Sequence, residues 1–402
     1  MGAGAILVGL VALLFADLAN EVIAIFKGWV ARIWWLPLIL TPLGVAAIAI
    51  ATRRFTPEGK GSGIPQVIAA TGEPEKSLET LISLRVGFAK LFMTAAGLLA
   101  GASVGREGPT VQVSAAVMAR IHRLFRVPIS SGVIIAGGAA GVAAAFNTPL
   151  AGVAFAIEEL ASSFEQRVAL LVMTAILIGG IVSLGIAGDY VYFGTMPETL
   201  SLGRTFIVAP VAGVLGGLSG GLFARLVLAL TYNRERFLGP LAKRPILWAL
   251  LCGVAIAVIG IFTGVTWGTG YAEAKAAVEG VHENLWFGPG KFAATLLSTI
   301  AGLPGGIFSP SLATGAGVGN FLCLLFPNDP RGAVVLLGMV AYFTGVVRAP
   351  LTAVIIIVEA TASRGMILPL FASALVADAA GRLMCKEKLY HALAREFATK
   401  PE

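Results

Sequence analysis

The chain has 402 residues, of which 57% are hydrophobic and 13% charged. A soluble domain carries roughly 25% charged residues, so this composition excludes a water-covered surface and places the chain in lipid. The net charge of +7 does not point to nucleic acid, because the basic residues fall in short clusters between apolar stretches.

Those clusters are Arg53, Arg54 and Lys60; Arg120, Arg123 and Arg126; Arg234, Arg236, Lys243 and Arg244; and Arg382, Lys386 and Lys388. Such spacing fits cytoplasmic loops under the positive-inside rule. In chain order, the first 26 residues lack a basic leading segment and run apolar to Phe26, which predicts a retained helix, not a cleaved signal peptide. Val168 to Gly188, Thr205 to Ala224 and Ile246 to Val265 contain no charge and approach the ~20 residues a spanning helix needs. Asp189 to Leu202 carries Asp189 and Glu198 with no Lys or Arg and is expected outside, with the C-terminus cytoplasmic. Cys252, Cys323 and Cys385 lack the paired spacings of a zinc site or disulfide framework and read as buried thiols.

Glycine supplies 50 residues against a usual ~7%, and it separates apolar segments too short to span, such as Ile64 to Ala70 and Pro149 to Ile157. Interrupted helices in a membrane are tolerated only where protein or a wet cavity receives the unpaired backbone, so the breaks are predicted to face a site. An internal repeat appears at an offset of 201. Gly101, Gly105 and Pro109 fall on Gly302, Gly306 and Pro310, and Gly137, Ala140, Pro149, Leu150, Val153 and Glu158 fall without a gap on Gly338, Ala341, Pro350, Leu351, Val354 and Glu359. Paired Gly/Pro interruptions in two halves indicate a midplane ion site. The loop near Arg120 is basic and its counterpart at 326–331 much less so, which favours inverted halves. The expected division is 1–230, a basic linker at 231–245, and 246–402.

Three breaks end in proline: Gly61-Ser62-Gly63-Ile64-Pro65, Gly105-Arg106-Glu107-Gly108-Pro109 and Gly305-Gly306-Ile307-Phe308-Ser309-Pro310. Proline suits the first position of a helix, so each motif reads as a loop entering a helix N-terminus. The free N–H groups and roughly half a positive charge there can replace the water around an anion. Partial charges also release it more readily than a lysine would.

The three motifs, in this order, resemble the chloride channel (CLC) family over nearly the whole chain. The resemblance implies an all-α membrane protein of two inverted-topology repeats with many short, broken helices, about sixteen or seventeen by length. It implies a homodimer with one pore per subunit in a prokaryotic inner membrane, transporting chloride and related small anions, with no cofactor or metal. Ser62, Tyr390 and the amides of Ile307 and Phe308 correspond to the anion site; Tyr390 matches by position in Lys386-Glu387-Lys388-Leu389-Tyr390. Gly105, Gly108, Pro109, Gly306 and Pro310 form the helix entries. Glu107 corresponds to the gating glutamate, which blocks the anion position when ionised and leaves when protonated. Arg106 reads as structural. The resemblance begins at the family's second helix and stops short of its paired CBS module, so nucleotide regulation through that module is not expected.

Glu158 and Glu159 end an otherwise apolar segment, and intramembrane acids are functional candidates. Glu159 falls on the internal proton-transfer glutamate of the family's antiporters, which favours chloride/proton antiport over a passive channel; the alternative puts both acids at a helix end facing water. Glu158, duplicated in Glu359, is a candidate structural or water-lining residue. Ser62 matches the chloride-selective pattern, whereas Gln66 stands where the family commonly has Glu. Among other classes, Gly217-Leu218-Ser219-Gly220 spells an intramembrane serine protease motif, yet His122, His282 and His391 all lie outside clean spans and a small-residue packing face explains the glycines. Gly315 to Gly319 lacks a βαβ context for dinucleotides, and no HExxH is present.

Overall fold

The computed structural model describes residues 1–161, 166–188, 190–282 and 284–398. Asp189, expected on the outer side, lies outside the described residues. The helices are α1 (Gly2–Arg32), α2 (Pro37–Phe55), α3 (Ile64–Gly72), α4 (Pro74–Ser77), α5 (Leu84–Leu99), α6 (Glu107–Leu124), α7 (Ser131–Phe146), α8 (Pro149–Phe155), α9 (Gln166–Ala187) and α10 (Leu202–Tyr232). They continue with α11 (Arg234–Leu238), α12 (Pro245–Thr263), α13 (Tyr271–Val278), α14 (Phe287–Ile300), α15 (Phe308–Leu325), α16 (Arg331–Val347), α17 (Pro350–Thr361), α18 (Ile367–Met384) and α19 (Leu389–Ala394). Among the described residues that makes nineteen, two or three more than the sequence suggests. α4 and α11, of four and five residues, are single polar turns with no apolar period to announce them.

Among the described residues seven helices are long and apolar enough to cross a bilayer, including those read from the uncharged stretches as α9, α10 and α12. The molecule is inverted relative to a soluble protein: Leu14, Phe92, Phe206, Phe262 and Leu383 are exposed, while Lys90, Glu107, Glu159 and Lys291 are fully buried. Large apolar groups gain nothing by hiding from lipid, whereas ionisable ones must be received by protein. Close helix contact relies on small residues. A Cβ at Gly216, Gly217 or Gly220 would strike the backbone of α16 or α18, and the Ser219 hydroxyl donates to Leu215 O at 2.7 Å. The protease-like motif is therefore a packing face.

The offset seen in the sequence runs through the structure. α6 and α15 both have 18 residues, and their first residues, Glu107 and Phe308, differ by 201. Asn147 and Arg348, also 201 apart, end α7 and α16 in the same left-handed conformation, with φ of 56° and 67°. The halves touch through reciprocal bonds: Gly105 N donates to Gly306 O at 2.5 Å and Gly306 N to Gly105 O at 2.7 Å. Glu158 Oε2 accepts from Thr352 N at 2.7 Å at the start of α17, and Glu359 Oε2 accepts from Ala151 N at 2.8 Å at the start of α8. The acid following α8 thus meets the start of α17, and the acid near the end of α17 meets the start of α8, so these equivalent helices pack antiparallel. Their two-fold axis crosses the helices, as an inverted repeat requires. Both carboxylates satisfy N–H groups that a helix start leaves unpaired.

A second correspondence was not read from the sequence. Gly61-Ser62-Gly63 and Gly268-Thr269-Gly270 differ by 207, and both flanking glycines of each loop have positive φ. Each loop shelters a buried lysine of its own half. A Cβ at Gly63 would approach Lys90 Nζ and one at Gly270 would approach Lys291 Nζ, while Lys291 Nζ donates to Gly268 O at 2.6 Å. The extra six residues of spacing hid this match from a single-offset comparison.

Candidate functional site

The glycine motifs close on one another. Gly305 N donates to Gly61 O at 3.1 Å, which ties the first loop to the third, and the reciprocal Gly105–Gly306 pair ties the second to the third. Two of the approaches tolerate only glycine. A Cβ at Gly108 would overlap Ser62 O and Oγ, and a Cβ at Gly105 would strike Glu107 and the Pro310 ring. With Pro65, Pro109 and Pro310 inside the first turns, the starts of α3, α6 and α15 converge and no ring blocks a needed N–H.

Glu107 lies in this convergence, fully buried. Its Oε1 accepts from Ser309 Oγ at 2.6 Å, and its Oε2 from Ser309 N at 3.3 Å. The acid of one half therefore occupies the helix start of the other. Ser309 was quoted in its motif without a role; the signal that could have found it is a hydroxyl within the first turn, where N–H groups are free. Arg106 turns outward from the cradle. Its guanidinium donates to Ala16 O at 2.7 Å, Asn20 Oδ1 at 3.0 Å and the Tyr192 hydroxyl at 3.3 Å, and Nε lies 3.9 Å from Glu107 Oε1.

Ser62 and Tyr390 sit on the other side of the cradle. The Tyr390 hydroxyl lies within electrostatic reach of Ser62, Glu107 and Glu159. Ser62 Oγ and Tyr390 OH are buried near each other, without a well-aligned hydrogen bond to a described group. Two hydroxyl donors so placed can both turn toward a small anion. Ile307 and Phe308 lie at the start of α15, and a cavity lined by Lys60, Ser62, Gln66, Ile307, Glu396 and Phe397 reaches this point. Gln66 Nε2 donates to Glu58 O and Lys60 O at 3.0 and 2.6 Å, holding the backbone that leads into Ser62.

Sequence comparison matches residues 43–382 to the profile described as Voltage gated chloride channel. The chain belongs to this chloride channel family. It is 31% identical over 389 residues to the H(+)/Cl(-) exchange transporter ClcA of Yersinia pestis bv. Antiqua (strain Angola), covering 92% of this chain and 80% of that protein. A slow cyanobacterial Cl-/H+ antiporter superposes with a TM-score of 0.82 at 26% identity, covering 98% of this chain and 97% of that one. A CLC-type fluoride/proton antiporter shares the fold, with a TM-score of 0.78 at 22% identity, 98% of this chain and 96% of that one being covered.

In this chloride channel family member, the paired acids after α8 have opposite surroundings. They lie on a π-helical turn, Ala156–Leu160, an irregularity frequent at functional sites. Glu158 is committed to the start of α17. Its Oε2 accepts from Thr352 N and Thr352 Oγ1, and its Oε1 from Leu351 N at 3.2 Å. Glu159 is wholly buried and neither of its oxygens has a hydrogen bond from a described group. It meets two bases from the α19 region, His391 Nδ1 at 3.2 Å and Lys388 Nζ at 4.0 Å. The expected alternative of two acids facing water at a helix end does not describe this arrangement. Phe308, packed on Phe146, Phe155 and Phe343, joins the Glu107 cradle to α8 and its acidic turn by aromatic contact.

Proposed function

We propose that this integral membrane protein exchanges chloride for protons across the bilayer, with Glu107 and the anion competing for the same helix starts. The observation that carries the reading is the Glu107 carboxylate held by Ser309 N and Oγ at the start of α15. A carboxylate oxygen there stands in for a chloride ion, because both seek N–H and O–H donors. Protonation removes the charge that holds Glu107 against the dipole. Chloride can then take the position, stabilised by the amides of Ile307 and Phe308 and by the hydroxyls of Ser62 and Tyr390. When chloride leaves, the acid returns after giving up its proton, so each carrier excludes the other.

Glu159 supplies the second proton station in this scheme. Among the described residues its oxygens accept no hydrogen bond and stay available for a proton, whereas those of Glu158 are occupied. Arg53, Lys60 and Arg234 line an adjoining cavity, a cationic mouth that raises local chloride concentration. The basic connectors support a cytoplasmic side for that mouth and for the C-terminus, in an inner membrane. Carried over from the family, a homodimer with one pore per subunit is proposed; a single-chain mass in detergent would refute it. We also place the division between halves at 188–201 instead of at 231–245, because α10 matches α1 in length, 31 residues each, at an offset of 200. The basic connector then lies within the second repeat.

The test is flux in proteoliposomes with a chloride gradient and a pH electrode. Chloride flow should drive protons uphill in the opposite direction. Chloride movement without any proton displacement would instead establish the passive channel.

A further inference from the structure

The proton station at Glu159 is sealed from water, and the groups that touch it differ in what they can do with a proton. Lys388 Nζ, 4.0 Å from Oε2, donates to Glu158 O at 3.1 Å. That bond ties the ammonium to the backbone, so Lys388 acts as a fixed group beside the acid. His391 is different. Its Nδ1 lies 3.2 Å from Glu159 Oε1, and that nitrogen is itself buried and has no hydrogen bond of good alignment. Yet the side chain as a whole is 39% exposed, so the exposure belongs to side-chain atoms other than Nδ1. One side chain thus touches a sealed carboxylate through one nitrogen and solvent elsewhere.

Resting on the antiport reading above, we propose that His391 is the proton-loading group of Glu159, passing protons between water and the buried carboxylate through its two ring nitrogens. A proton from water binds Nε2, the imidazolium releases its Nδ1 proton to Oε1, and the neutral ring then turns outward, where water adds a proton at Nδ1 and takes one from Nε2 before the ring turns back. The reverse sequence unloads Glu159, and no other reactant is consumed. Imidazole suits this task because its two ring nitrogens let one accept a proton while the other gives one up. Loose alignment in the unloaded protein is common for proton-transfer pairs.

The surroundings leave His391 free for this work. Packed against α19, α3 carries no ionisable side chain. From α10, Arg225 lies near Cys385 and Tyr232 donates its hydroxyl to Ala392 O at 2.6 Å. Beyond α16, Arg348 is committed to Asp378 and to Cys385 O. On the segment of His391 itself, Tyr390 is buried, Arg395 pairs with Glu387, and Glu396 pairs with Lys60. Among the described residues, Glu159 is therefore the carboxylate that His391 serves.

The experiment measures chloride-driven proton uptake in proteoliposomes for His391→Ala, His391→Gln and Glu159→Gln, with chloride efflux in the same vesicles reporting on folding. His391→Ala should lower proton uptake by about tenfold or more, and free imidazole in the buffer should restore it. His391→Gln should behave like Ala, because an amide keeps hydrogen bonding but cannot relay a proton. Uptake at the wild-type rate in His391→Ala, failure of imidazole to rescue it, or full activity in His391→Gln each overturns the proposal. Undiminished uptake in Glu159→Gln overturns the Glu159 route itself, which separates that failure from one confined to His391.

Discussion

The two halves of the chain share a scaffold and divide the chemistry unequally. Residues found in both repeats, the Gly105/Gly306 and Pro109/Pro310 entries, the buried Lys90/Lys291 pair and the Glu158/Glu359 caps, bind the halves to each other or shape the loops. At the positions of the two proposed proton carriers the repeats differ: Glu107 faces Phe308 in the alignment, and Glu159 faces Ala360. Duplicated residues hold the fold, and the proposed proton carriers are acids that the duplication does not repeat. A symmetric pair of gates would compete for one central site, whereas a single acid lets the opposite helix start receive it.

The largest effect expected from this contrast is at the unduplicated acids. Glu107→Gln should abolish proton coupling while chloride still flows, and Glu159→Val should lose proton movement but keep chloride movement, both read by paired pH and chloride electrodes. Retained coupled exchange in either would break the division. Next comes Gly108→Ala, whose added methyl collides with Ser62. Chloride affinity should drop roughly tenfold, about 1.4 kcal/mol, in an isothermal titration; unchanged affinity would mean the two helix starts do not share one anion.

A smaller and purely structural effect is expected from the duplicated acids. Glu158→Ala and Glu359→Ala each strand N–H groups at a helix start and should cost ~1–3 kcal/mol, seen as a lower unfolding temperature in detergent. Because both caps join α8 to α17, the double variant should depart from additivity. Loss of proton transport in Glu158→Ala without loss of stability would move that residue from scaffold to chemistry. The smallest effect is at Ser219, whose hydroxyl bonds its own helix. Ser219→Ala should keep full transport and change stability by less than ~0.5 kcal/mol.

Much of this was legible from residue order alone. Apolar length set the spanning helices because hydrocarbon thickness fixes a minimum run of residues. Gly/Pro breaks marked helix starts because proline lacks the N–H that a first turn cannot use. The repeat followed from residues spaced 201 apart. These are local or additive properties, and they survive without knowledge of what packs against what.

Tertiary structure decided the rest. Glu158 and Glu159 are chemically the same and adjacent, so no pattern in the chain could separate a carboxylate saturated by Leu351 and Thr352 from one left open beside His391. The role of Ser309 and the second loop pair at 207 likewise arise from contacts between distant segments. A carboxylate's behaviour in a membrane depends on which donors meet its oxygens, and those donors come from helices about 200 residues away, brought there by the fold.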